Sequence, residues 1–413
     1  MPNSCHSKRG YGVFWWVLAL QCIQSGSSFR ACSRWLKVMV LQLRLQCKSP
    51  CHSTLLNWAK RVGYYQLCLS EVDHQDYILL MDESVGIGQE KLLVIYAIGV
   101  SSLPTTRPLV LTELRPVAIA SQLTGWKGID IYQQLKDLPM PLNCIKYVVA
   151  DQGNNLRKAL ALAGLPHVAD CTHMVSNLLE KLYKNNPDCQ SYLRQLMLWR
   201  KQLCVGQYAH VIPPRLRGKA RFMHLKTLVD WGVVTSKWLC SQAQDCPLMA
   251  LQTYQAFLAE AQQILAVAYQ VLACLKEQGL CQQNLASCKQ WLSQLQGVHG
   301  QAFAQQLSHY LEQTIHKVEG CQHYLCCSDI VESAFGQYKA YLANNPMVGI
   351  TDLALIMATF SLSVEEQTIK QIKAATSMKQ LQQWRQEHLA ETLTQKRRKA
   401  LGKNMAPSPH PIT

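Results

Sequence analysis

The sequence predicts an α/β core with a mixed sheet, interrupted by a large all-α insertion and preceded by an all-α head. Three observations predict it. Short apolar runs, several ending in acids, fall between residues 77 and 170. From residue 186 to 325, Leu, Ala and Tyr alternate with Gln at helical spacing, with little strand signal. The first 70 residues hold nine cations and no acid. The expected division is 1–70, 71–185, 186–325, 326–345 and 346–413.

The chain has 413 residues, of which 48% are hydrophobic. That is enough for two or three domains and too apolar for a disordered chain. No run approaches the roughly 20 apolar residues that span a bilayer, so no membrane partner is expected. Lys plus Arg is 41 and Asp plus Glu is 26, a net charge of +15. The surplus sits at the ends: +9 in residues 1–70 and +5 in residues 393–413. A near-neutral body with basic ends points to a dedicated polyanion-binding head, with a nucleic acid as the expected partner.

Within the head, residues 11–25 are largely apolar and Gly26-Ser27-Ser28 breaks the run. Ser28 is an expected N-cap for a helix from Phe29. On that helix Arg30, Arg34 and Lys37 share one face. A third helix is expected over Ser53–Gly63, with Lys60 and Arg61 in its last turn. Helix, glycine turn and basic helix is the layout of a helix-turn-helix that enters a major groove. A small bundle with solvated cations is the other reading of the same residues. Lys8-Arg9 ahead of VFWWVLAL imitates a secretory leader but lacks a small-x-small cleavage site. The eighteen cysteines are scattered along the chain and read as reduced thiols, mostly buried.

In the core, Tyr77–Met81 is a short apolar run ending in Asp82. Leu92–Val100 is a second strand and Pro108–Thr112 a third, a meander pattern. A helix near Ile129–Leu138 follows, then a buried strand Ile145–Ala150 ending in Asp151. Leu156–Leu162 reads as a helix, and Pro166–Ala169 as a short strand ending at Asp170. An unpaired acid at the end of an apolar strand is poorly explained by packing, and sites in open α/β sheets gather at strand ends. A turn or N-cap aspartate is the plainer alternative.

Strand-strand-strand-helix-strand-helix, with Asp82 in ILLMDES and Asp151 in YVVADQG, resembles the ribonuclease H-like core of DDE transposases. Asp170-Cys171-Thr172-His173 resembles the Cys/Asp-x-x-His motif of members with a helical insertion. Glu332, in Ser328–Gly336, matches the third acid, on a downstream helix. Asp329 and Asp352 are the alternatives for that place. The resemblance covers residues 75–185 and 326–345, plus the head by general plan. It implies two Mg²⁺ (or Mn²⁺) ions held by Asp82, Asp151 and Glu332, since paired hard cations serve both ends of a phosphodiester displacement. It implies that His173 supports the site by hydrogen bonding; capping the helix from Thr172 is the other role open to it. The expected activity is cleavage and strand transfer at terminal inverted repeats of double-stranded DNA, by a homo-oligomer at the cytoplasmic nucleoid. The rival readings are a catalytically inactive DNA-binding regulator and a ribonuclease H-like nuclease.

In the insertion, Arg215, Arg217, Lys219 and Arg221 form a basic loop, read either as a phosphate grip or as a solvated loop. Cys321, His323, Cys326 and Cys327 invite zinc, but their spacing fits no tetrahedral site from one loop. Lys396–Lys399 and the Pro-rich end read as a disordered tail, adding DNA affinity or only solubility.

Overall fold

The computed structural model describes residues 6–7, 10–73, 75–85, 89–216, 221–240, 246–318, 320–343 and 349–402. In chain order, a two-residue hairpin β1 (His6–Ser7) and β2 (Gly10–Tyr11) precedes helices α1 (Val13–Gln24), α2 (Phe29–Gln42) and α3 (His52–Tyr64). Then come β3 (Tyr77–Val85), β4 (Lys91–Gly99), β5 (Arg115–Gln122), α4 (Gly128–Lys136), β6 (Ile145–Ala150) and α5 (Asn154–Ala163). A short β7 (His167–Ala169) leads into α6 (Cys171–Tyr183), α7 (Pro187–Leu203), α8 (Leu225–Leu239), α9 (Gln255–Gln278), α10 (Gln282–Leu292) and α11 (Gly297–Ile315). The chain ends with α12 (Asp329–Leu342), α13 (Ile356–Thr359), α14 (Glu366–Ala375), α15 (Met378–His388) and α16 (Leu393–Leu401).

The five strands form one mixed sheet in the order β5-β4-β3-β6-β7. β3 pairs antiparallel with β4 and parallel with β6, and β4 pairs antiparallel with β5. The fold is therefore mixed α/β with extensive helical regions, as the sequence predicts. Contacts divide the chain into two compact units. One holds Met1–Leu103, Leu109–Pro166 and Ser328–Thr413; the other holds Pro104–Pro108 and His167–Cys327.

In the first unit, alternation along the strands sorts side chains to two faces. Leu79 and Met81 of β3, Leu93, Ile95 and Ala97 of β4, and Val148 and Ala150 of β6 share one cluster with Ile131 and Leu135 of α4 and Leu156, Ala159 and Leu160 of α5. The opposite face carries Tyr96, the register partner of Leu80, whose hydroxyl donates to the Met357 carbonyl on α13 at 3.0 Å.

Three expectations need correction here. The third strand is Arg115–Gln122, not Pro108–Thr112. Residues 111–113 make a single 3-10 turn, held by the Val110 amide donating to Glu113 Oε2 at 2.9 Å. β5 tolerates Pro116 because it is an edge strand, and the register shifts where Pro116 meets Tyr96. Asp82 lies inside β3, which runs on to Val85, rather than at its end. Lys396–Lys399 are helical, in α16, because Thr392 and Gln395 form a reciprocal capping box.

Contacts group the described residues up to 70 with the first unit. Trp15, Trp16, Leu20, Leu36, Trp58 and Val62 share a core with Leu362, Ile369 and Ile372 from the C-terminal helices. Gly26, at φ +88°, supplies the left-handed turn between α1 and α2. Ser28 caps α2 as expected, its Oγ accepting from the Ala31 amide at 3.2 Å. VFWWVLAL is the start of α1, with Trp15, Trp16, Ala19 and Leu20 buried.

None of the described cysteines is disulfide-bonded, and seven of the seventeen are buried, fewer than the sequence suggests. Cys51 is exposed, immediately before α3, with its Sγ 3.1 Å from Ser53 Oγ and 3.2 Å from Thr54 Oγ1. The Ser53 and Thr54 hydroxyls favour the thiolate and bring its pKa down to about 7. Alkylation of Cys51, followed by peptide mapping, is expected to reach half its limiting rate near pH 7. A midpoint at or above the free-thiol value of about 8.5 would contradict this hydrogen bonding.

The second unit is helical apart from β7. Its centre is α9, which buries Phe257, Leu258, Ala261, Ile264, Leu265, Ala268, Val271, Leu272 and Leu275. The segment Met249–Gln278 is long and apolar enough to cross a membrane, against the expectation that no run would be; half of its apolar window is buried inside the protein. Tyr310 of α11 donates to the Ala169 carbonyl at 2.6 Å and ties the helices to β7. Trp199, not singled out in the sequence, is the tryptophan buried in this core, and its indole donates to the Pro247 carbonyl at 3.1 Å.

Candidate active site

The parallel register of β3 and β6 places Leu80 beside Val149 and Met81 beside Ala150. Asp82 and Asp151 are the next residues on each strand path. Neighbouring strands lie about 4.8 Å apart, so the two acids are neighbours. Met81 and Ala150 both point into the α4–α5 cluster. Alternation therefore sends Asp82, and Asp151 as the chain leaves β6, to the opposite face, the one carrying Tyr96 and α13. Both carboxylates are half-buried. Asp82 Oδ1 accepts from the Glu83 amide at 2.7 Å, and Asp151 Oδ1 accepts from the Gly153 amide at 2.8 Å. The second bond is an aspartate turn that leads the chain from β6 into α5.

α12 packs against β3. Val331, Ala334, Phe335 and Tyr338 form its buried side. Glu332 lies in its first turn, half-buried, with Asp329 opening the helix. The third matched acid is thus carried by a helix that lies on the strand holding Asp82. Asp352, one alternative, is committed elsewhere: Lys60 Nζ is 3.0 Å from its Oδ1. Glu83, next to Asp82, is neutralised by Lys91 at 3.0 Å.

A donor set of carboxylate oxygens is what a hard divalent cation takes. Two such groups on neighbouring strands, facing the same side, fit Mg²⁺ or Mn²⁺. Asp82, Asp151 and Glu332 are the residues that would hold it.

Asp170, Cys171, His173, Cys321, His323, Cys326 and Cys327 belong to the second unit. Asp170 is 1% exposed and caps α6, its Oδ1 accepting from the His173 amide at 2.8 Å. The cap is therefore Asp170, and His173 supplies the amide it holds. The Cys171 amide donates to the Cys326 carbonyl at 2.8 Å, holding the start of α6 to the loop that carries Cys326. A hydrogen bond with the Cys327 thiol, with burial behind it, pushes the Cys171 thiol up, and burial does the same for Cys326. Cys321 Sγ donates to the His323 carbonyl at 3.1 Å.

On the head, Arg30, Arg34 and Lys37 are exposed along α2, beside Trp35, Val38 and Leu41, which are exposed too. Cys32 and Leu36 anchor the other side of the helix. Lys60 and Arg61 do not join this face. Lys60 binds Asp352. Arg61 donates to Thr376 Oγ1 at 2.9 Å, to the Thr376 carbonyl at 2.8 Å and to the Lys373 carbonyl at 2.9 Å, and lies 5.0 Å over the Trp16 ring. Burial lowers its pKa, and the three acceptors take its Nε and Nη2 donors. Arg215 is exposed; Arg217 and Lys219 lie outside the described residues, and of Arg221 only the backbone, opening a short 3-10 turn, is described.

One acid escaped the sequence reading. Glu90, just before β4, is 2% exposed, and burial raises its carboxyl pKa while Lys396 opposes the shift. Its sequence signal is an acid one lysine ahead of an apolar run. A scan against protein-family models finds no match to this chain, and a search of the curated proteins finds none either.

Proposed function

We propose that this chain is a DNA transposase of the DDE type with a ribonuclease H-like core, acting at the nucleoid of the cytoplasm. The observation that carries the reading is the register Met81 to Ala150, which makes Asp82 and Asp151 neighbours on one face of a mixed sheet. Support comes from α12, which lies on β3 and bears Glu332, and from the uncovered basic face of α2.

In this reading α2 enters the major groove of the element's terminal repeats. Arg30, Arg34 and Lys37 hold phosphates and base edges, and Trp35, Val38 and Leu41 give apolar contact to thymine methyls. Asp82, Asp151 and Glu332 present carboxylate oxygens beside the scissile phosphate. Their negative charge keeps the site selective for divalent cations. Bound there, Mg²⁺ supplies Lewis acidity to the attacking and leaving oxygens of an in-line displacement. Two DNA ends must be held together for strand transfer, so the working form is an oligomer on DNA.

The test is end cleavage and strand transfer on duplexes carrying the flanking ends, with Mg²⁺, for wild type and Glu332→Gln. The substitution keeps size and removes one charge. The expected result is activity in wild type and a loss of about 100-fold or more in the variant, with unchanged DNA binding. Equal activity in both would remove Glu332 and make Asp329 the next acid to replace. Binding without cleavage in wild type would replace this reading with the regulator, and preferential cleavage of RNA–DNA hybrids with the nuclease.

A further inference from the structure

An open cleft of about 440 Å³ lies between the 3-10 turn Asp352–Leu355, α15 and α16. Arg385 from α15 and Arg398 from α16 both line it. Neither guanidinium has an ion-pair partner among the described residues. Arg385 reaches only the Gln395 side chain, at 3.5 Å. Asp352 and Glu391 are already neutralised. Asp352 on its wall holds Lys60 at 3.0 Å, and Glu391 at the foot of α16 holds Lys399 at 2.8 Å.

The remaining lining is polar: Thr351, Thr392 and Thr394, with Gln395. Thr392 and Gln395 are locked in their capping box, which fixes that wall. The Thr394 side chain is exposed and offers a hydroxyl. Two guanidiniums without an ion-pair partner, lining a cleft walled by polar residues, favour an anionic ligand. Guanidinium forks match phosphate oxygens in pairs, which a lysine point charge does not. The volume falls within the roughly 300–1,000 Å³ range of small-ligand sites, large enough for one nucleotide unit.

We propose that this cleft binds a phosphate ester, clamped between Arg385 and Arg398. The group is either a phosphodiester of a nucleic-acid backbone or the phosphate of a free nucleotide. The site does not depend on the roles assigned to Asp82, Asp151 and Glu332.

The experiment uses the full chain and two probes: inorganic phosphate by calorimetry, and a 20-base-pair duplex of arbitrary sequence by fluorescence anisotropy. The variants are Arg385→Gln with Arg398→Gln, and Arg397→Gln as a control for charge on the same helix. The double variant is expected to bind phosphate at least about ten-fold more weakly, and Arg397→Gln as wild type does. If the duplex affinity falls with it, the ester belongs to a nucleic acid, and the salt slope flattens by about one unit per lost contact. If duplex binding holds while phosphate binding is lost, the ester is a free nucleotide. Absence of phosphate binding in wild type, or equal losses in the double variant and the control, overturns the proposal. Should the double variant lose its helical circular dichroism, Arg398→Gln alone, at an exposed position, gives the same readout.

Discussion

Replacing Trp16 by alanine is expected to cost about 3–5 kcal/mol of stability, the range for a fully buried tryptophan. The ring is 2% exposed and stacks on Trp58 at 4.8 Å with an interplanar angle of 18°. Arg61 lies 5.0 Å over it and Lys373 at 5.9 Å. Removing the ring empties a large volume and strips two half-buried cations of their aromatic face. The cation contacts add a fraction of a kcal/mol to about 2 kcal/mol each in such settings. Burial already lowers the pKa of Arg61 and of Lys373. The depressed value means the charged form is disfavoured on folding, so the ring's loss should deepen that penalty. The measurement is urea unfolding of wild type and variant, followed by circular dichroism. A shift below about 1 kcal/mol would mean that the head core is loosely packed.

Gly63→Ala is expected to be comparably severe, about 3 kcal/mol, although it adds a single methyl group. A Cβ at position 63 would overlap the Leu355 carbonyl oxygen and lie 2.7 Å from its carbon. Both are backbone atoms, so no rotamer change relieves the clash. α3 must move off the turn that contains Leu355, and the Lys60 to Asp352 pair and the Thr359 hydroxyl bond to the Ala59 carbonyl, at 2.8 Å, go with it. Gly26→Ala is the useful contrast. It meets nothing within 4 Å, and its cost comes only from φ +88°. Parallel melts of the two variants separate crowding from backbone strain.

Local pattern made β3, β4 and β6 legible, because apolar runs bounded by turns identify buried strands. Ser28 was legible as a cap for the same local reason. β5 was not: Arg115 and Pro116 open it, and Pro-Leu-Val-Leu just upstream has the stronger strand composition. What decides between them is pairing with β4, a contact that no single segment shows. α16 was hidden by its lysines and arginines, although its cap residues were visible. Asp82 and Asp151, each following an apolar run, stood out in sequence, but their adjacency depends on register. Lys60 and Arg61 looked like free cations because their partners lie near residues 352 and 376, far outside any helical window.

That separation has a consequence in time. Arg61 and Thr376 are 315 residues apart in the chain. At about 5–20 residues per second, synthesis takes roughly 15–60 s to deliver the second after the first. Through that interval the indoles of Trp15, Trp16 and Trp58 have no Ile369 or Ile372 to cover them. The segment that holds them is thus made long before it is completed. A nascent chain stopped before α14 leaves these indoles without their lid.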